Sequence, residues 1–388
     1  MKNSTSLFLH RIFKGIADAT IKIFIPLLIF QATSNLSFCF IYALVNYASM
    51  ALFFVILKKF MQKCSIISII IHIFPIIIAE FLLLSNLNIW IILILAILDA
   101  FSNCLYYGSL NLIFGTIDEN TDTAKFEAGQ NVGKIIFTIL SAYILGNLVN
   151  SIIFIVIFSL VFYAISIVPL CIKYKELKSK TATQTKADVK VILKDNKFYS
   201  YFHVCNAFIS FFLEIFLPIY LYINGLSFTV VGLLVAGQYL INILAGYLAK
   251  YICFKNLPLL NIILSSVLFT VSIIAIIFIK NIYIIYVLTI VFSFANQLSF
   301  ITVFERFTLD QKEKKFFYHS IFYRDVVLNC SRSFSSSIYL ILPYSLAIFG
   351  FGILASIGIG VTGSLCIKKR PIKLTQNTTI NESNLNKS

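Results

Sequence analysis

The sequence predicts an all-α membrane protein, twelve transmembrane helices in two pseudo-symmetric six-helix bundles. Three observations carry that expectation. Of 388 residues, 59% are hydrophobic and 12% charged, with a mean hydropathy of +0.92. The uncharged runs are too long for single helices and hold turn signals. The basic residues collect in alternate connections. Soluble domains carry roughly 25% charged residues, so the composition argues against a soluble enzyme. Disorder needs low hydrophobicity and high charge, the opposite of this balance.

A helix needs about 20 largely apolar residues to cross the hydrocarbon core. Residues 23–57, 135–172, 215–249 and 333–366 hold no Asp, Glu, Lys or Arg. Each divides at a turn signal: Ser34-Asn35, Gly146-Asn147, Asn224-Gly225 and Pro343-Tyr344. With the neighbouring apolar stretches, spans are expected near 9–32, 36–58, 65–84, 88–113, 126–146, 149–172, 198–223, 227–250, 257–279, 281–305, 318–341 and 345–367.

Charge tests that order through the excess of Lys and Arg in cytoplasmic connections. With a cytoplasmic N-terminus, most of the 31 Lys and Arg fall on one side, including Arg11, Lys14, Lys58, Lys59 and Lys63. The other side receives Lys280 alone. Both termini are therefore expected in the cytoplasm, and the plasma membrane is the expected location. Trp90 reads as an interfacial anchor. The polar stretch 173–197 divides the chain into bundles at 1–172 and 198–370, and 371–388 reads as a disordered cytoplasmic tail.

Other chemistries find little support. The eight cysteines are scattered without metal spacing, the four histidines are isolated, and no cofactor or metal is expected. The N-terminal segment does not read as a cleavable signal peptide, because charges break its apolar stretch. HExxH, GxSxG and Walker A sequences are absent, so neither an intramembrane enzyme nor ATP drive is expected. Gly358 to Gly363 formally reads GxGxxG but lies in an apolar span, where small residues serve close helix packing. The positive charge lies between apolar runs, which points to membrane and not to nucleic acid.

The halves look related. Pro26 of FIPLLIF lies over Pro218 of FLPIYLY, Leu36-Ser37-Phe38 over Leu226-Ser227-Phe228, and Asn103 over Asn296. The least accidental match sets Glu127, Asn131 and Lys134 over Asp325, Asn329 and Arg332. An offset of six helices gives both halves one orientation, related by an axis along the membrane normal.

With these features the chain resembles the major facilitator superfamily. It departs from the family's pattern between spans 2 and 3. There VILKKFMQKC keeps Lys58, Lys59 and Lys63 without the family's Gly and acid. In GYLAKYICFK, Gly246 remains and Lys250 stands where an acid is expected.

A charge at mid-membrane costs about 2.5–3.5 kcal/mol on insertion scales, so such residues are site candidates. Asp18 and Lys22 share a face of span 1. Glu214 stands four residues before Pro218, as Lys22 stands before Pro26. The resemblance implies that spans 1 and 7 face each other across a central cavity. Lys22 and Glu214 would then meet there, as a breakable closure or a permanent ion pair. Asp18 is the proposed proton carrier. Asp99, Asn103, Asn296 and Gln297 either bind substrate or bridge helices. Spans 5 and 11 border the seam between halves in the family. There Glu127, Asn131, Lys134, Asp325, Asn329 and Arg332 would form an acid–base gate or hold an anion, with Arg324 turned toward another helix.

The expected function is a secondary active transporter of a small solute, working by alternating access, as a monomer in the lipid bilayer. Proton-coupled efflux is the leading form, with Asp18, Asp99 or Glu214 carrying the proton. The alternatives are an organic-anion or nutrient uptake permease, or a lipid-moving or non-transporting protein on the same scaffold.

Overall fold

Two prolines set the shape of the two helices that matter most for the site. Proline has no N–H, so the carbonyl four residues before it loses its helical partner. In the computed structural model, Pro26 leaves Lys22 in that position. The chain tightens into a 3₁₀ turn at Lys22–Phe24, where the Ile25 N–H bonds Lys22 O instead. Pro218 does the same to Glu214, and there the chain widens into a π-helical turn at Phe212–Phe216. Single π turns inside helices are frequent at functional sites.

The structure describes residues 3–116, 123–148, 151–172, 189–254, 257–279, 281–313, 317–342 and 350–368. The helices of the first half are α1 (Asn3–Thr20), α2 (Ile25–Thr33), α3 (Leu36–Lys63), α4 (Ser65–Ile71), α5 (Ile73–Leu82), α6 (Ile89–Thr116), α7 (Thr123–Asn147) and α8 (Ser151–Ile172). Then come α9 (Val189–Asp195), α10 (Lys197–Phe211), α11 (Leu217–Ile223), α12 (Phe228–Phe254), α13 (Pro258–Phe278), α14 (Ile282–Glu313), α15 (Phe317–Ile341) and α16 (Gly352–Lys368). Every expected span contains helix. The first starts earlier than expected, at Asn3, and α6 and α14 run past their expected ends to Thr116 and Glu313.

Among the described residues, nine helical segments are long and apolar enough to cross a membrane. The segments outside that group have local reasons. Helix α1 carries Arg11, Lys14 and Asp18, α15 carries Arg324, Asp325 and Arg332, and α16 has 17 residues. Many large apolar side chains point outward, among them Trp90, Phe74, Phe278 and Tyr283. Such a surface suits lipid, and the chain is a multi-pass membrane protein. The expected linker at 173–197 and tail at 371–388 lie mostly or wholly outside the described residues; of the linker, only 189–197 is described.

Helix packing repeats between the halves. Helix α1 packs on α7 and α8, as α10 packs on α15 and α16. Likewise α3 packs on α6 as α12 packs on α14, and α4 and α5 pack on α6 as α13 packs on α14. Across the seam, α7 lies against α12 and α3 against α15, again a repeat-related pair. The first connection turns at Ser34 with φ 52° and its counterpart at Gly225 with φ 93°. Both are left-handed, a conformation glycine adopts without steric penalty. Asn35 accepts the Ser37 N–H at 2.9 Å and caps α3.

The seam is closed toward the turn end by rings. Phe40 of α3 lies 5.7 Å from Tyr339 of α15 and 6.1 Å from Phe211 of α10, and Phe30 of α2 meets Tyr222 of α11 edge-on at 6.2 Å. Aromatic pairs add about 0.5–1.5 kcal/mol each beyond their area burial.

Candidate functional site

Helix α1 carries His10, Lys14 and Asp18 four residues apart, and Lys22 continues the stripe at the break. Residues at that spacing share a helix face. This face turns inward, toward α6 and α8. Lys14 is 1% exposed, its Nζ 2.5 Å from Asp18 Oδ1 and 4.5 Å from the centroid of the Tyr106 ring. The Tyr163 hydroxyl donates to Asp18 at 2.7 Å. Asp18 thus takes its donors from α1 and α8. Lys14 and Arg11, expected among the cytoplasmic bases, are both buried instead. For Lys14, packing against Tyr106 of α6 and Tyr163 of α8 overrides its place in the sequence.

One turn on, Lys22 Nζ lies 2.7 Å from Asp99 Oδ1 and donates to Asn103 Oδ1 at 2.8 Å. Asp99 also accepts from the Tyr42 hydroxyl and from Asn46 Nδ2, each at 2.9 Å. The expected meeting of Lys22 with Glu214 does not occur here. Lys22 is held within its own half because α6 presents both a carboxylate and an amide. Glu214 takes Arg332 of α15 at 3.5 Å. Its side chain is 53% exposed although its neighbours Leu213 and Ile215 are buried. Glu214 also borders a cleft between spans 1, 7 and 8, lined by Phe24, Pro26, Leu27, Pro218 and Val231.

The seam is bridged by bases over rings. Lys134 Nζ of α7 sits 4.9 Å from the centroid of Tyr239 on α12. Arg332 of α15 sits 5.4 Å from that of Tyr47 on α3. Lys134 and Arg332 are repeat-equivalent, and the two tyrosines lie on the repeat-related helices α12 and α3. Cations over aromatic faces gain about 0.5–2 kcal/mol, more as water is excluded. The expected acid–base gate is corrected in part. Asp325 pairs with its neighbour Arg324 at 2.5 Å and, among the described residues, crosses the seam through Asn111 Nδ2, at 3.1 Å. Among the described residues Arg324 therefore takes its acid from its own helix, and its guanidinium also lies 4.8 Å from the Phe304 ring. The side chain of Glu127 lies outside the described residues. Asn329 is spent on the Asp325 carbonyl of its own helix, and Asn131 is buried in α7.

Asn296 of span 10 serves as a bridge between helices. Asn206 Nδ2 donates to Asn296 Oδ1 at 2.9 Å, joining α10 to α14. Gln297 is half-buried beside it. Residues that the sequence reading passed over include Lys14, Tyr163, Tyr42, Asn46 and Glu80. Glu80 was detectable as an acid within an apolar run. The tyrosines had no signal, being common in such a chain. Among the described residues no group of three or more His, Cys, Asp or Glu side chains is placed to hold a metal ion.

A family model for the Major Facilitator Superfamily matches residues 7–312. The chain belongs to the major facilitator superfamily. Its fold is also that of several solved structures of bacterial transporters. A bacterial homologue of the iron transporter ferroportin, outward-facing and soaked with iron, aligns with a TM-score of 0.70 at 13% identity, over 95% of this chain and 99% of that one. An inward-facing structure of a bacterial ferroportin homologue aligns at 0.62 and 14% identity, over 94% and 98%. A structure described as a bacterial metal transporter aligns at 0.59 and 13% identity, over 94% and 98%. Curated proteins give no sequence match. Membership in this superfamily makes the chain a transporter and not an enzyme. A transporter of this family binds a small-molecule substrate within the membrane.

Proposed function

We propose that this protein is a proton-coupled secondary transporter that exports a small organic solute by alternating access. Twelve spans form two six-helix bundles that rock about the seam between α3 and α15 and between α7 and α12. Both termini lie on the cytoplasmic side of the plasma membrane, and the protein works as a monomer.

The observation that carries this reading is the repeat-related pair of cation–ring contacts across the seam, Lys134 over Tyr239 and Arg332 over Tyr47. Such contacts keep their energy over a range of positions, which suits surfaces that must slide and part. The solute binds between Lys22–Asp99 on one side and Glu214–Arg332 on the other. Glu214 is its anchor, being exposed and held loosely at 3.5 Å. A cationic group on the solute would displace Arg332 there.

Transport of a metal ion is the second reading, favoured by what the structural neighbours are described as carrying. Against it, Asp18, Asp99, Asp325 and Glu214 each already hold a basic partner.

The test is thermal unfolding of the detergent-purified protein against drugs, sugars, amino acids, organic anions, lipids and divalent metals. A ligand at a hundred times its Kd adds about 2.7 kcal/mol. The expected outcome is a rise in midpoint with organic cations, lost in Glu214→Gln. A rise with iron or another divalent metal alone would favour the second reading.

A further inference from the structure

Glu80 is a buried acid of a different kind from the others. It lies in α5, is 2% exposed, and among the described residues pairs with no base. Its Oε2 has no hydrogen-bond partner there. Its Oε1 lies 2.8 Å from the Ser159 hydroxyl of α8. The same hydroxyl lies 3.2 Å from the carbonyl oxygen of Ala17 in α1.

Proton bookkeeping around Ser159 decides what Glu80 is. A serine hydroxyl has one proton to donate, and a backbone carbonyl can only accept. If Ser159 donates to Ala17, the contact with Glu80 needs a proton from the carboxyl. Both contacts are made in full only when Glu80 is a neutral acid. Its unpartnered Oε2 is then a carbonyl oxygen and not part of a charge. Asp18 and Asp99 read the opposite way. Among the described residues each has donors for partners: Lys14 and the Tyr163 hydroxyl for Asp18, Lys22, the Tyr42 hydroxyl and Asn46 for Asp99.

We infer that Glu80 is the proton-binding site of this chain and that Ser159 ties its protonation to the position of α1. The inference rests on the proton coupling proposed above and names its carrier. In the present arrangement Ser159 donates to Ala17, and Glu80 keeps its proton. When α1 swings about the break at Ile21–Phe24, Ala17 moves away and frees the hydroxyl to donate to Glu80. The carboxyl then releases its proton to water as a hydrogen-bonded carboxylate, and the return of α1 takes one proton back. The charges acting on Glu80 are Asp18 and Lys22 from span 1 and Asp99 from α6. The polar groups beside it are Ser159 and, one turn along α8, Tyr163, which bonds Asp18.

Infrared spectroscopy of the protein in lipid tests the site without a known solute, through the C=O stretch of a protonated carboxyl. The expected result is a pH-dependent band in wild type, lost in Glu80→Gln and shifted but present in Ser159→Ala. Glu80→Gln keeps a donor for Ser159 and should fold, as its unfolding midpoint would show. A band missing from wild type, or unchanged in a folded Glu80→Gln protein, overturns the proton site. The link to α1 has its own arm. With Phe30→Cys and Tyr222→Cys joined by a bifunctional maleimide, on a background lacking other reactive cysteines, the band should persist to higher pH than in the unjoined protein. Identical titration of the two overturns the link. A pH gradient that drives no solute while the band behaves as expected would defeat the transport reading and leave the proton site standing.

Discussion

The two halves of the chain pack their helices in the same order and fill them with different chemistry. Inside the first half lie Lys14–Asp18, Lys22–Asp99 and Glu80, with tyrosine hydroxyls between them. The second half's interior has contacts between neutral groups: Asn206 with Asn296, Asn261 with Thr302, and Gln311 with Asn196 and Ser320. Among the described residues, the second half's buried or partly buried ion pairs, Arg324–Asp325 and Glu214–Arg332, lie along the seam. Repetition of a backbone therefore does not require repetition of its chemistry. The first half buries ion pairs in its interior, where the second uses neutral polar contacts.

The largest test of that contrast removes one member of a buried pair. Asp18→Ala leaves Lys14 buried without its acid and should lower stability by about 3–5 kcal/mol. Lys14→Met with Asp18→Leu should recover most of the loss. Thermal unfolding in detergent reads both, and a loss below about 1 kcal/mol for Asp18→Ala would show that water reaches the pair. Next in size is close packing in the first half. A methyl group on Gly133 runs into the Ile12 carbonyl of α1, so Gly133→Ala should lower stability by about 1–3 kcal/mol. Gly237→Ala in α12 meets only ordinary contacts and should be neutral or gain up to about 1 kcal/mol in helix propensity.

Smaller still is the neutral interior of the second half. Asn206→Ala loses one interhelical amide bond, of about 0.6 kcal/mol on average, and the unfolding midpoint should barely move. If it falls as far as in Asp18→Ala, the contrast between halves is wrong. The smallest stability effect is expected at Glu214→Gln, below about 1 kcal/mol for a half-exposed pair. Its consequence should appear in solute flux through proteoliposomes, which sharpens the division between holding the fold and serving transport.

Much of this molecule was legible in its sequence. Uncharged runs with Ser34-Asn35 or Asn224-Gly225 at their middles located the helices, because backbone in lipid has few alternatives to helix. The repeat was legible through Pro26 and Pro218, whose effect is local. Partner choice was not. Lys22 and Glu214 share a repeat position, yet each found its partner in its own half. Which helix offers a carboxylate at the right depth depends on rotation about helix axes, and sequence carries that weakly. Lys14 was misplaced for the same reason, since nearness to the terminus says nothing about which face turns inward. Glu80 was visible as an acid in an apolar run, but its meaning needed Ser159 and Ala17 from two other helices.

The stripe of His10, Lys14, Asp18 and Lys22 also bears on how the protein is made. Helix α1 leaves the ribosome well before the helices it packs on, α7 and α8, which end only at Asn147 and Ile172. At about 5–20 residues per second, that is a wait of roughly 8–30 s. During it the stripe has neither its α8 tyrosine nor its packing surface. An early helix with this many ionisable groups is poorly suited to release alone into lipid. The expected consequence is late insertion of α1, completed when α7 and α8 arrive. Shortening the chain before Ile172 should leave α1 open to cleavage in nascent membranes.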